Sequence, residues 1–174
     1  MEASAPALPP QLRATAEFIR AQLYCNMAWT LLQMEDELKL ASEYSSTALS
    51  IVEKLQGKLS QKDYCRALGR SLRLVASCYA QADSALTAEG LFQSAIDSLK
   101  EASKNQLSRL DLRDTHDGYA HLLHQWDKRS RDAENQENHS RDVNESLSEG
   151  WRGKSSICSG LDFITPGGFA LEKF

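Results

Sequence analysis

Large apolar residues recur every three or four positions along most of the chain, the mark of helices with a buried face. Between Gln11 and Met34, one stripe is formed by Ala16, Ile19, Leu23, Met27, Leu31 and Met34, and a second by Phe18, Ala28, Trp29 and Leu32. The pattern predicts a helix covered on two sides. Three acids, Glu35 to Glu37, suit a turn leading into a helix N-terminus, where the helix dipole favours negative charge. From Glu37 to Gln56 the stripe Leu38, Ala41, Tyr44, Ala48, Ile51, Val52 and Leu55 predicts a second helix, stopped by Gly57.

Ser60 with Asp63 resembles a capping box and opens a third helix along Tyr64, Leu68, Leu72, Val75, Ala76 and Tyr79. Ser84 then caps a fourth, whose face carries Ala88, Leu91, Phe92, Ala95, Ile96 and Leu99. Gly69 and Gly90 each cost about 1 kcal/mol inside a helix, so both predict a close approach of a neighbouring helix. A fifth helix, from about Leu110 to Lys128, rests on Tyr119, Ala120, Leu122, Leu123 and Trp126. After it the text turns charged and amide-rich, "DKRSRDAENQENHSRDVNESLSEG". That composition predicts at most the start of a sixth helix, with disorder over 136–174.

A chain of 174 residues bearing 20 basic and 24 acidic side chains has the length of one domain and no overall basic field to draw nucleic acid or an anionic membrane. Its N-terminus has neither a secretory nor a transit pattern, and no apolar run is long enough to cross a bilayer. A cytoplasmic protein is expected. Cys25, Cys65, Cys78 and Cys158 contain no C-x-x-C pair and are expected to be thiols rather than zinc ligands.

Self-similarity is visible at a spacing of 48: Tyr24 with Leu72, Met27 with Val75, Ala28 with Ala76, and Leu31 with Tyr79. Small residues alternate with large ones in both copies, as "ASCYAQADSALTAEG" shows. With Ala41 and Ala48 after the first set, and Ala88, Phe92 and Ala95 after the second, the chain resembles the tetratricopeptide repeat in its long-helix variants. The resemblance implies an all-α fold of stacked antiparallel hairpins in a right-handed superhelix, with five to six helices and a disordered C-terminal tail. Residues 1–10 would precede a domain over 11–135, made of units at 11–57, 60–103 and a partial unit at 108–135. Its third unit would place His116, Tyr119, Ala120 and Leu123 on a first helix and leave only Ala133 as the sign of a second.

The resemblance also implies a concave groove lined by the first helix of each unit. Its residues here are Gln22, Cys25, Trp29 and Gln33, then Arg70, Arg73, Ser77 and Gln81, then Asp114, Asp117, His121 and His124. Arginine holds carboxylates bidentately and Trp offers a broad amphipathic surface, so a protein segment with acidic and apolar residues is the expected ligand. Reversing the charge of Arg70 and Arg73 is expected to abolish partner capture and leave the helices intact. The chain carries no phosphate loop, nucleophile elbow or H-E-x-x-H, so an adaptor or assembly subunit is expected rather than an enzyme, with no cofactor. The alternative is a helical bundle that dimerises, or binds a metal or small ligand, through Asp117, His121 and His124, which share a helix face.

Overall fold

The computed structural model describes residues 9–34, 36–102, 106–126 and 128–148. These form six helices: α1 (Pro10–Leu31), α2 (Leu38–Glu53), α3 (Gln61–Gln81), α4 (Ala85–Ala102), α5 (Gln106–His124) and α6 (Ser130–Ser148). No strand occurs among the described residues, and none of their helices is long and apolar enough to cross a membrane.

Local chemistry sets the helix ends. Pro10 at the first position of α1 has no N–H to leave unpaired. Ser60 Oγ accepts the backbone N–H of Asp63 at 3.2 Å, capping α3 as its spacing predicts. Gly57 has φ +73° after α2, a conformation that suits glycine. At the end of α3, Asp83 (φ +56°) takes the left-handed position of a Schellman turn. There Ser84 N–H bonds to Tyr79 O at 2.9 Å and Asp83 N–H to Ala80 O at 3.3 Å.

The helices pair as three antiparallel hairpins, α1/α2, α3/α4 and α5/α6, and successive hairpins stack through α2 on α3 and α4 on α5. Alanines let the helices approach: Ala28, Ala41, Ala48, Ala76, Ala88 and Ala95 have no exposed surface. Phe92 fills the space between α4 and α5 and stacks on Tyr119, with ring centroids 5.8 Å apart. Of the repeat-register residues, Val75 is buried and Tyr24, Leu31 and Leu72 are half-buried. Met27 and Tyr79 depart from the expected packing and are 41% and 42% exposed. Met27 belongs to the first hairpin, which has no hairpin before it among the described residues to cover that face. Tyr79 is larger than Leu123 at the corresponding site and has a polar end that favours water.

Gly69 answers the expectation made of it: a Cβ there would lie 2.6 Å from Leu99 Cγ and 2.9 Å from Ala95 O. Gly90 does not, since a Cβ there would meet nothing within 4 Å. The helix at 130–148 is a second departure, because the residues from 136 onward were expected to be disordered. Ala133, Gln136, Ser140, Val143 and Leu147, spaced three and four apart, form a narrow seam of buried and half-buried side chains against α5, enough to seat a helix that is polar elsewhere. The remainder of that expected tail, 149–174, lies outside the described residues, as does most of 1–10.

Candidate functional site

The first helices of the three hairpins, α1, α3 and α5, lie side by side, and polar side chains fill the seam between them. Arg70 of α3 is 1% exposed and its guanidinium spans the seam. Its Nη1 donates to Gln22 Oε1 and its Nη2 to Asn26 Oδ1, both at 2.7 Å. On the other side Arg70 Nε lies 4.0 Å from Asp111 Oδ1, and Arg66 Nε donates to Asp111 Oδ2 at 2.9 Å. One turn further, Arg73 Nη1 donates to Asp114 Oδ2 at 3.4 Å, while Arg113 holds Asp114 Oδ1 through Nε at 3.0 Å and Nη2 at 2.6 Å. Gln22 and Arg70 are 48 positions apart, so the repeat brings equivalent residues of two hairpins into contact.

This arrangement corrects the groove expected from the sequence. Gln22, Cys25, Arg70 and Arg73 are buried, because Arg70 and Arg73 are matched by amides and carboxylates of the neighbouring first helices. A buried guanidinium needs such partners to offset its lost hydration. Two polar atoms of Arg73, Nε and Nη2, are buried with no hydrogen-bond partner among the described residues. Trp29 and Ser77 are half-buried, and Ser77 Oγ donates to Arg73 O at 3.0 Å. Gln33, Gln81, Asp117, His121 and His124 are exposed. Reversing the charges of Arg70 and Arg73 therefore strikes the packing of the hairpins, not a free binding surface.

The alternative site on α5 is not assembled as expected. His124 Nε2 sits 2.8 Å from Glu137 Oε1 of α6, and His121 Nε2 lies 3.3 Å from Gln125 Nε2. Among the described residues no three His, Cys, Asp or Glu side chains are placed to hold a metal ion. His116, expected only as a packing residue of the third unit, is 4% exposed, with its Nδ1 2.7 Å from Gln136 Oε1 and its ring facing His139 at 5.4 Å. Burial pushes its pKa below the usual 6.5, and the neighbouring His139 and Lys100 act in the same direction.

Burial likewise disfavours the charged form of the described thiols. Burial raises Cys25 and Cys78, and burial together with a hydrogen bond to Glu101 pushes Cys65 up to about 11. A second polar knot closes the α4–α5–α6 corner. Tyr119 OH donates to Glu89 Oε1 at 2.6 Å, and Arg129 Nη2 reaches the same oxygen at 2.9 Å. Burial alone would raise the pKa of Glu89, but these two donors and the charge of Arg129 bring it below the ordinary carboxylate value.

One exposed face, on α1, is largely apolar. On α1, Leu12 is 56% exposed, Leu23 45%, Met27 41% and, just past the helix end, Met34 54%. Asn26, Met27, Thr30, Leu31, Leu40 and Tyr44 line a hollow of ≈340 Å³ beside it. From Ala21 to Met34 no residue is charged. The stripe taken from the sequence as one of two covered faces is thus the uncovered one, and the covered faces are marked by Ala14, Ala21, Cys25 and Ala28.

No family model, curated protein or solved structure matches this chain. The surface chemistry of the molecule itself therefore carries the functional reading. A water-exposed helix face normally carries charge, and exposed Leu23, Met27 and Met34 within an uncharged stretch have the composition of a protein-contact surface.

Proposed function

We propose that this chain is a non-catalytic adaptor or assembly subunit, built of tetratricopeptide-like hairpins and working in the cytoplasm, that binds another protein surface. The observation that carries this reading is the exposed apolar face of α1, with Leu12, Leu23, Met27 and Met34 in water and no charge between Ala21 and Met34. Its partner is a helical or extended protein segment with an apolar stripe, for which the hollow lined by Leu31, Leu40 and Tyr44 offers a seat. A partner recognised mainly by acidic residues fits less well, since Arg70 and Arg73 are committed to the interior.

The test is affinity capture by the full chain, with wild type and Met27→Glu compared at equal helical content by far-UV circular dichroism. Loss of a stoichiometric partner with Met27→Glu is the expected result. Capture that survives Met27→Glu but is lost with His121→Ala and His124→Ala together would move the function to the exposed end of the α5 face.

A further inference from the structure

The exposed face of α1 is the face by which the later hairpins dock. At the position corresponding to Leu23, α3 carries Ser71, whose Oγ lies 3.5 Å from Cys25 Sγ of α1, and α5 carries the fully buried Thr115. At the position of Thr30, α3 carries Cys78, 3.6 Å from Ser45 of α2, and α5 carries buried Leu122. So α3 seats this face on the hairpin before it with small side chains and α5 buries it in the core shared with α4, while α1 presents large apolar side chains to water. Among the described residues the opposite end of the stack is formed by α6, whose exposed positions include Arg131, Glu134, Glu137, Arg141 and Asp142. An apolar leading face has no match on that charged end, so copies of the chain do not stack head to tail.

The stripe instead matches itself. Leu12, Ala16, Ile19, Leu23, Met27, Thr30 and Met34 are spaced four, three, four, four, three and four apart, a series that reads the same in both directions about Leu23. At about 100° per residue the six that lie in α1, Leu12 to Thr30, fall within roughly 40° of Leu23 around the helix, and Met34 follows just past its end. A second α1 laid antiparallel, related by a two-fold axis at Leu23, brings Ala16 level with Thr30, Ile19 with Met27, and Leu23 with its own copy, and carries Leu12 toward the end of the other helix. The charges agree with this direction. Arg13, Glu17 and Arg20 all lie in the first half of α1, and in the antiparallel arrangement they run along the uncharged second half of the other copy. A parallel arrangement would set each against its like.

We infer that the occupant of the α1 face is a second copy of this chain, forming a closed, two-fold dimer through antiparallel α1 helices centred on Leu23. This rests on the reading of the α1 face as a protein-binding surface and names its partner. Two apolar strips of this length meet as a self-complementary patch, and the polar α6 ends point outward, so assembly stops at two.

The test uses the full chain. Sedimentation velocity should find a species of twice the chain mass that dissociates on dilution, and Leu23→Glu should weaken dimerisation about 100-fold or more by setting two carboxylates against each other on the axis. In a Cys158→Ser background, Leu23→Cys should bridge to its own copy under mild oxidation, whereas Leu86→Cys on the exposed side of α4 should not. The bridging result decides the question even if Leu23→Glu fails to fold. A chain that is monomeric at every concentration, or a dimer that ignores Leu23→Glu and does not bridge at 23, overturns the inference. A monomer whose partner capture is still lost with Met27→Glu overturns the dimer and leaves the interaction reading standing; a monomer with capture unimpaired removes both.

Discussion

Two glycines with the same helical cost separate by what surrounds them. Gly69 sits against Ala95 O of α4, a backbone atom that cannot swing aside, while Gly90 faces open space. Gly69→Ala is therefore expected to lower stability by about 1–3 kcal/mol, the overpacking cost exceeding the gain in helix propensity. Gly90→Ala should raise it by about 0.5–1 kcal/mol. Urea denaturation of the two variants checks both signs. The sequence showed that each glycine is out of place in a helix, but the distinction needed the neighbour. The same holds for Gly118, which drew no comment in the sequence although a Cβ there would lie 3.1 Å from Phe92 Cε1. Arg70 is the harder case. Its burial depends on Gln22 and Asn26, 48 and 44 positions earlier, and on Asp111 in α5, so its own neighbours in sequence hold no sign of it.

Helix α6 shows why overall composition is a poor guide to a single element. A helix needs only one buried edge, and here the edge is Ala133, Gln136, Ser140, Val143 and Leu147 while the other positions are polar. The hairpins before it were legible because their stripes are wide and their ends carry Ser60 and Gly57, whose cap and turn roles follow from local chemistry. Because His116 lies in that contact, the docking of α6 is expected to weaken in acid. His116 of α5 is bonded to Gln136 of α6 and titrates below 6.5 when folded, then returns to about that value when unfolded. Between those two pKa values the unfolded chain binds more protons, so stability is complete above pH 6.5 and declines as the pH falls through and below it. Hydrogen exchange of α6 amides is expected to show lower protection at about pH 5.5 than at about pH 7.5, and His116→Gln should flatten that dependence. Glu89 contributes separately and later: its pKa is lowered by folding, so its stabilisation fades only as the pH falls through the acidic range of a carboxylate.

For the whole molecule, the decisive feature is that each hairpin is joined to the next by a polar seam on the first helices as well as by apolar contact through α2 on α3 and α4 on α5. The seam holds Arg66, Arg70, Arg73 and Arg113 against Asp111 and Asp114, with Gln22 and Asn26 of α1 taking up the inner guanidinium. Breaking one buried pair costs about 3–5 kcal/mol, because the surviving charge is left without a partner. A domain of this size has about 5–15 kcal/mol in total. Arg70→Glu with Arg73→Glu sets two carboxylates beside Asp111 and Asp114 and strips Gln22 and Asn26 of their donor, so the sum approaches the whole stability of the fold. The double variant is expected to lose helical circular dichroism at room temperature, or to melt far below wild type, where a surface role for these arginines would leave both unchanged. Leu23→Glu and Met27→Glu, on the uncovered face of α1, should melt close to wild type when compared as monomers, since neither side chain has a buried contact to lose on the scale of the seam. That contrast separates the interior that holds the hairpins in register from the face left over for assembly. It follows from one asymmetry: the repeat gives every first helix a docking face, and only α1 has no earlier hairpin among the described residues to dock on.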